Sequence, residues 1–402
     1  MRSTKTLAVT GAGLLALSLL LAGCAGGSSS GAPTSKGAAQ VRVTLTNDGS
    51  DDVCTLDQTS APAGPVTFTV ENKSSTGITE VELQSQQRIL GEKENLAPGL
   101  AASSFTVTLG GGAYQFYCPG AKQETQKFTV TGTAASAASG STTTLLKQGT
   151  DGYATYVSGV VGDMVTAVGT LQQKIDAGDL DGAKAAYALA RPFYEKVESD
   201  VDGFVLPGTD PTDNSGNLDY LIDMRESNLD PAVGWHGFHA IERDLYTTGI
   251  TDGTRSLAAE LVSNVGKLAQ LSKGLTYKPE DLANGAADLL DEVQANKITG
   301  EEENYSHIDL LDFAANVEGA QQAFAYLRPG LQKIDAGLTK QVAAQFDKVN
   351  TALDAYRDSS QPGGYQLYTD AIKGDDAAKL SQTVQGLQGP LSKIAEKVAT
   401  AS

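Results

Sequence analysis

The chain has 402 residues, with 48 acidic against 30 basic side chains and a formal net charge of −18. That surplus argues against nucleic acid and anionic lipid headgroups as partners, and suits cationic partners or plain solubility. The length allows two or three domains with sizeable cores, and with three histidines and three cysteines any metal centre must lean on carboxylates.

Arg2 and Lys5 precede an apolar run from Leu7 to Leu21, interrupted only by small residues and by Thr10 and Ser18. At about 15 residues it falls short of the roughly 20 that span a bilayer, which predicts a signal peptide over residues 1–23. The run ends in Leu21-Ala22-Gly23-Cys24, which resembles the bacterial lipobox, where cleavage precedes the cysteine and its sulfur takes a diacylglycerol. Cys24 is the expected lipidation site, and a chance cysteine after an ordinary signal peptide is the plainer alternative. Residues 24–39, mostly Gly, Ser and Ala, then read as a lipidated flexible tether with a reach of about 20 Å. No later stretch is apolar over a membrane-spanning length.

Residues 40–131 read as strands. Val41-Arg42-Val43-Thr44-Leu45, Val66-Thr67-Phe68-Thr69-Val70, Phe105-Thr106-Val107-Thr108-Leu109 and Phe128-Thr129-Val130 alternate apolar and polar. Turn sequences at Ala63-Gly64-Pro65, Ala97-Pro98-Gly99 and Gly110-Gly111-Gly112 separate them, which predicts a β-sandwich. Residues 132–147, rich in Ala, Ser, Thr and Gly, read as a linker. From 148 to 402 the period is helical. Ala186, Tyr187, Ala190, Phe193, Tyr194 and Val197 mark one face of a helix over 183–198, and 317–327 and 342–356 carry similar stripes. Asp230-Pro231 has the composition of a helix start. The predicted architecture is multidomain, a β-sandwich followed by an all-α helical bundle.

His236, His239 and His307 all lie in the second half. His239 and Glu242 stand at i and i+3, so on a helix both reach one ion. Glu195 and Glu198 have the same spacing, and bundle-core metal sites are built from such pairs on facing helices. One imidazole with several carboxylates suits iron, zinc or manganese and is poor for Cu(I). The bland alternative is a solvated pair of glutamates in which Arg191 bonds Glu195 at i−4. Pro192 is expected to kink that helix.

Three segments carry a resemblance: Gly-Phe-His-Ala-Ile-Glu at 237–242, Arg-Pro-Phe-Tyr-Glu-Lys-Val-Glu at 191–198, and Lys-Ile-Thr-Gly-Glu-Glu-Glu-Asn-Tyr-Ser-His at 297–307. With Leu311-Asp312-Phe313-Ala314-Ala315-Asn316-Val317-Glu318-Gly319 and Leu327-Arg328-Pro329, they resemble the imelysin-type peptidase family, and within it the EfeO-type components of iron-uptake systems. The resemblance covers about residues 150–398. It implies metal ligands at His239, Glu242, Glu195 and Glu198, at Asp223 in an Ile-Asp-x-Arg motif, and at Glu302, which Glu301 and Glu303 flank. His236 lies outside the motif, one turn from His239, and is read as a further ligand or, preferably, as a group that supports the ligands from behind. The loop between Asp223 and His239 is shorter than usual in the family, which leaves the reach of Asp223 open.

The strand segment resembles the cupredoxin-like domain that opens EfeO-type chains, through Cys54, Glu80-Val81-Glu82, Glu92-Lys93-Glu94-Asn95-Leu96-Ala97-Pro98-Gly99 and Gly112-Ala113-Tyr114-Gln115-Phe116-Tyr117-Cys118. A blue-copper site needs two histidines beside its cysteine, and residues 1–235 contain none. Two readings remain. Cys54 and Cys118 form a disulfide, or they join Glu80 and Glu82 in a second metal site for copper or iron.

The resemblance implies an exported, non-enzymatic lipoprotein that faces the periplasm or extracellular side. It would bind iron as Fe2+ or Fe3+, with zinc or copper as alternatives, and deliver it to an Ftr-type iron permease, with a haem peroxidase as the other partner. Contact with the membrane would be through the lipid alone. The rival readings are a metallopeptidase of the imelysin type and a metal-dependent binder of acidic polysaccharide. Zincin chemistry uses H-E-x-x-H, which this chain lacks.

Overall fold

The computed structural model describes residues 37–85, 88–133, 140–201, 203–210 and 212–401. Cys24, the signal peptide and residues 24–36 of the tether lie outside them.

The strands are β1 (Ala39–Asn47), β2 (Asp52–Leu56), β3 (Ser60–Pro62), β4 (Gly64–Asn72), β5 (Val81–Ser85), β6 (Arg88–Lys93), β7 (Ser103–Leu109), β8 (Gly112–Tyr117) and β9 (Thr125–Thr131). They form two sheets, ordered β2-β1-β4-β7 and β3-β9-β8-β5-β6. The alternation read from the sequence is the cause: Val41, Val43, Leu45, Val66, Phe68, Val70, Phe105, Val107 and Leu109 all point into one buried core. At its centre the Phe68 ring lies 5.2, 5.5 and 5.2 Å from those of Phe105, Phe116 and Phe128. β1 runs parallel to β4, while the pairs β1–β2, β4–β7, β5–β8 and β8–β9 are antiparallel. Cys54 on β2 is disulfide-bonded to Cys118, just beyond β8, and so ties one sheet to the other.

The helices are α1 (Ser141–Asp176), α2 (Leu180–Glu195), α3 (Glu198–Val201), α4 (Leu218–Asp223), α5 (Gly237–Tyr246), α6 (Asp252–Leu271), α7 (Pro279–Glu292), α8 (Asp309–Ile334), α9 (Ala336–Asp354), α10 (Asp370–Leu391) and α11 (Ile394–Ala401). A π-turn, Val293–Lys297, extends α7. One apolar core runs through them, from Leu146 on α1 to Val398 on α11. Two expectations change. Helix α1 already begins at Ser141, inside the predicted linker, because Leu146 is buried against Gly330 on α8. The single helix expected over 183–198 is instead two, and Pro192 does not mark the break. The proline sits in the last turn of α2, and α3 restarts at Glu198, so Glu195 and Glu198 belong to two helices.

The β-domain rests on α7. Asn284 accepts from the Thr106 N–H at 3.2 Å and donates to the Thr106 carbonyl at 2.7 Å, and Glu280 accepts from the Thr108 N–H at 3.0 Å. Lys93, buried at the end of β6, bonds both Asp288 and Asp291. Asn95 donates to Glu292 at 2.8 Å. Side chains of α7 thus complete hydrogen bonds that the outer edge of β7 would otherwise lack.

Candidate metal centre

Helix α2 carries Arg191 and Glu195, α3 Glu198, α4 Asp223, α5 His239 and Glu242, and α8 Asp312. Lys297 ends the π-turn, and Glu302 and Glu303 follow it before α8. The approach of α4 to α5 depends on Gly237. Its φ is +76°, and a Cβ there would run into the Ile222 carbonyl. That contact brings Asp223, the last residue of α4, beside His239 in the first turn of α5.

His239 is buried, and neither ring nitrogen has a hydrogen-bond partner among the described residues. Nε2 lies 3.7 Å from Asp223 and 3.4 Å from Glu302; Nδ1 lies 3.7 Å from Glu242 and 3.9 Å from Glu303. Each nitrogen therefore faces a pair of carboxylates close enough to share one ion. The two sides differ. Glu242 is held in place, accepting from the Tyr305 N–H at 2.8 Å and the Ser306 N–H at 2.6 Å. The Nε2 side continues through Glu302 towards Glu195 and Glu198.

Arg191 is fully buried and organises much of the cluster. Its Nε donates to Glu303 at 2.9 Å, one terminal nitrogen bonds Asp223, and the other bonds Glu195 and lies 3.2 Å from Glu302. Its guanidinium carbon also stands 5.2 Å from the centroid of the Phe238 ring. The pairing of Arg191 with Glu195 expected on a solvated face is real but lies in the interior. Arg225 bonds Glu292 at 2.9 Å and Glu302 at 3.1 Å. Lys297 stands among Glu195, Glu302, Glu292 and Glu198 at 3.2, 3.3, 3.6 and 4.0 Å.

Glu195, Glu198, Asp223, Glu292, Glu302, Glu303 and Asp312 thus surround three permanent cations, Arg191, Arg225 and Lys297, and an eighth carboxyl, Glu242, lies against His239. Eight carboxyls against three cations is a large buried surplus of negative charge, which low dielectric penalises. Protons take up part of it. Burial pushes Asp223 up to about 7 and Asp312 up to about 8, and drives Glu198 and Glu303 well above the usual carboxylate range. Burial also opposes ionisation of Glu302, yet Lys297 and Arg225 hold it well below that range. Burial and Arg191 disfavour the charged His239, but Asp223, Glu242 and Glu302 prevail and raise it to about 9. A multivalent cation on the Nε2 side would replace those protons.

The structure puts Asp223 and Glu302 on one side of His239 and Glu242 on the other, each within reach of a shared ion, while Glu195 and Glu198 join them only through Arg191 and Lys297. Asp223 reaches the centre despite the short loop. His236 does not support it: Nδ1 lies 2.9 Å from Glu260, and Nε2 is 3.2 Å from the Val233 carbonyl. Lys297, Arg225, Glu292, Glu303 and Asp312 join the centre without being expected there. Four of these lie in the sequence motifs at 222–225, 297–307 and 311–319, but only the fold shows that they converge.

A cavity of about 390 Å3 leads from the centre to the β-domain. Glu80, Glu82, Glu92 and Glu94 line one wall, and Glu198, Asp219, Asp223 and Arg225 another. Of the two readings left open for Cys54 and Cys118, the structure has the disulfide and not the metal site with Glu80 and Glu82. Both sulfurs are bonded to each other, and a disulfide sulfur is a poor ligand. The carboxylates that do converge are Glu80, Glu92 and Glu94, while Glu82 accepts from Gln84.

The helical half, over residues 149–394, matches the family model described as Imelysin, and residues 13–131 match that of a cupredoxin-like domain. The chain belongs to the imelysin family, in its EfeO-type form with both domains. It is 34% identical over 364 residues to the "Iron uptake system component EfeO" of Escherichia coli (strain K12), covering 90% of each chain. The proteins of that name from Shigella flexneri and Shigella sonnei (strain Ss046) are similar to the same extent.

Proposed function

We propose that this chain binds iron outside the cytoplasmic membrane and passes it to a permease of the Ftr type, with a haem peroxidase as the other partner. The observation that carries metal binding is His239, a buried imidazole with two unpartnered nitrogens among four carboxylates. Its Nε2 with Asp223 and Glu302 would hold the ion, flanked by Glu195 and Glu198, while Glu242 orients the ring from Nδ1. Nitrogen with oxygen donors suits iron. Similarity along both domains to proteins named as iron uptake components supports iron as the cargo.

Acids lining the cavity would concentrate cations at its mouth. No helix among the described residues is long and apolar enough to cross a membrane. Lipid on Cys24 and the short tether would instead keep the carrier near its permease and raise its effective concentration there. A single imidazole hemmed by carboxylates fits storage and release better than peptide hydrolysis, where a Glu base stands between two His ligands.

Anaerobic titration with Fe2+ of the wild type and His239→Ala tests the reading. The wild type is expected to bind and the variant to lose that binding. Equal binding by both would sink the assignment, and peptide hydrolysis lost in the variant would favour the peptidase instead.

A further inference from the structure

Lys297 is fully buried, at the last residue of a π-turn. Such turns are rare and recur at functional sites, because the extra residue aims a side chain that a regular helix would direct elsewhere. Its Nζ lies within 4.0 Å of four carboxylates but has no hydrogen-bond partner among the described residues. Arg191 differs, since its guanidinium is locked by directional hydrogen bonds to Glu303, Asp223 and Glu195. One cation is part of the frame. The other sits as a loose ion in a carboxylate cage.

We propose that the Lys297 ammonium is a resident counter-ion of this centre. An incoming multivalent metal ion takes its place beside Glu195 and Glu302, and the ammonium withdraws towards Glu198 and Glu292. The proposal rests on the reading of the centre as a metal site, and makes Lys297 a determinant of which cations enter.

The geometry supplies a path. Glu198 and Glu292 already lie 4.0 and 3.6 Å from Nζ. Both line a small cavity of about 40 Å3, together with Glu92, Glu94 and Asp219. The ammonium therefore leaves one pair of carboxylates for another without crossing apolar space. The exchange is cation for cation, so neither the empty nor the loaded centre leaves Glu195 and Glu302 bare in low dielectric. Lys297 is covalently tethered and cannot be diluted away, so a free monovalent ion gains no charge by replacing it. A divalent or trivalent ion does. The lysine thus sets a threshold that favours multivalent cargo and lowers affinity enough for release.

The test is calorimetric titration with Fe2+ under anaerobic conditions, and with Zn2+ as a redox-inert check. It compares the wild type, Lys297→Met, Lys297→Arg and His239→Ala. Lys297→Met is expected to bind each metal at least about tenfold more tightly, since a like charge a few ångströms away is removed. Lys297→Arg is expected to bind more weakly, because a guanidinium forks onto carboxylates and withdraws less readily. Unchanged or weaker binding by Lys297→Met would overturn the proposal.

If His239→Ala binds like the wild type, the metal-site reading itself falls. If His239→Ala is silent and Lys297→Met is not tighter, only the role of Lys297 falls. Removing one partner of a buried ion cluster threatens the fold, so thermal unfolding with and without metal is measured alongside. The metal-induced rise should be larger in Lys297→Met than in the wild type, and an equal or smaller rise counts against the proposal. If Lys297→Met unfolds without metal, recovery of the native fold on adding Fe2+ supports exchange, and no recovery refutes it.

Discussion

Within the centre, single side chains have separable tasks. Glu302 lies beside His239, Arg191, Lys297 and Arg225 at once, so Glu302→Gln should abolish metal binding and also loosen the cluster. Glu242 touches the ring only at Nδ1 and is fixed by two backbone N–H groups. Glu242→Gln should retain metal stoichiometry and lose about ten- to a hundredfold in affinity, the usual penalty for removing an orienting partner. Loss of stoichiometry in that variant would make Glu242 a ligand instead. Arg191→Met should be far more damaging to the fold, by about 3–5 kcal/mol, because several buried carboxylates lose their counter-charge; chemical denaturation reads that cost. The reactive residue types were legible in the sequence, since His239, Glu242, Asp223 and Glu302 lie in motifs. The cations that balance them were not. Arg191 looked like a surface partner of Glu195, because i, i+4 spacing is the same whether a helix face is wet or buried.

At the scale of elements, the centre depends on two helix ends being brought together. Gly237 has a positive φ and lies against Ile222 of α4. Gly237→Ala should cost about 1–3 kcal/mol by denaturation and weaken Fe2+ binding, although its side chain offers no ligand. The disulfide serves the other domain. It closes a loop of 64 residues in sequence separation between the two sheets. Cys54→Ser with Cys118→Ser should lower β-domain stability by about 2–4 kcal/mol and leave Fe2+ binding at His239 intact. Strand alternation and helical stripes showed the two-domain order directly, because each is a local signal with its own period. The break between α2 and α3 was not readable. Pro192 is tolerated within α2, and only the backbone after Glu195 shows where that helix stops.

Across the whole molecule, the surplus of buried carboxyls couples stability to pH. Burial raises Asp223 and Asp309 to about 7 and Asp312 to about 8, so each favours the folded state when protonated. That contribution is full below the ordinary carboxylate pKa and is lost as pH rises through 7 to 8. His239, raised to about 9 by its carboxylate neighbours against burial and Arg191, works in the same sense. Its contribution is full below about 6.5 and is lost as pH rises through 9. The metal-free protein should therefore melt at a lower temperature at pH 9 than at pH 5.5. Fe2+ or Zn2+ should restore most of the difference, since a bound cation replaces the lost protons. A melting temperature that climbs with pH in metal-free buffer would contradict this charge balance. The contact of the β-domain with α7 and the acidic cavity beside it could not be read from the sequence. They arise from pairings such as Thr106 with Asn284 and Lys93 with Asp288, far apart along the chain.

Iron is expected to bind at His239 and not at the cysteines of the β-domain. X-ray absorption spectroscopy of the iron-loaded protein tests it most directly. Oxygen and nitrogen neighbours with the outer-shell scattering of one imidazole are expected, with no sulfur, and the imidazole signal should vanish in His239→Ala. A sulfur neighbour, or an all-oxygen shell unchanged by that substitution, would contradict it.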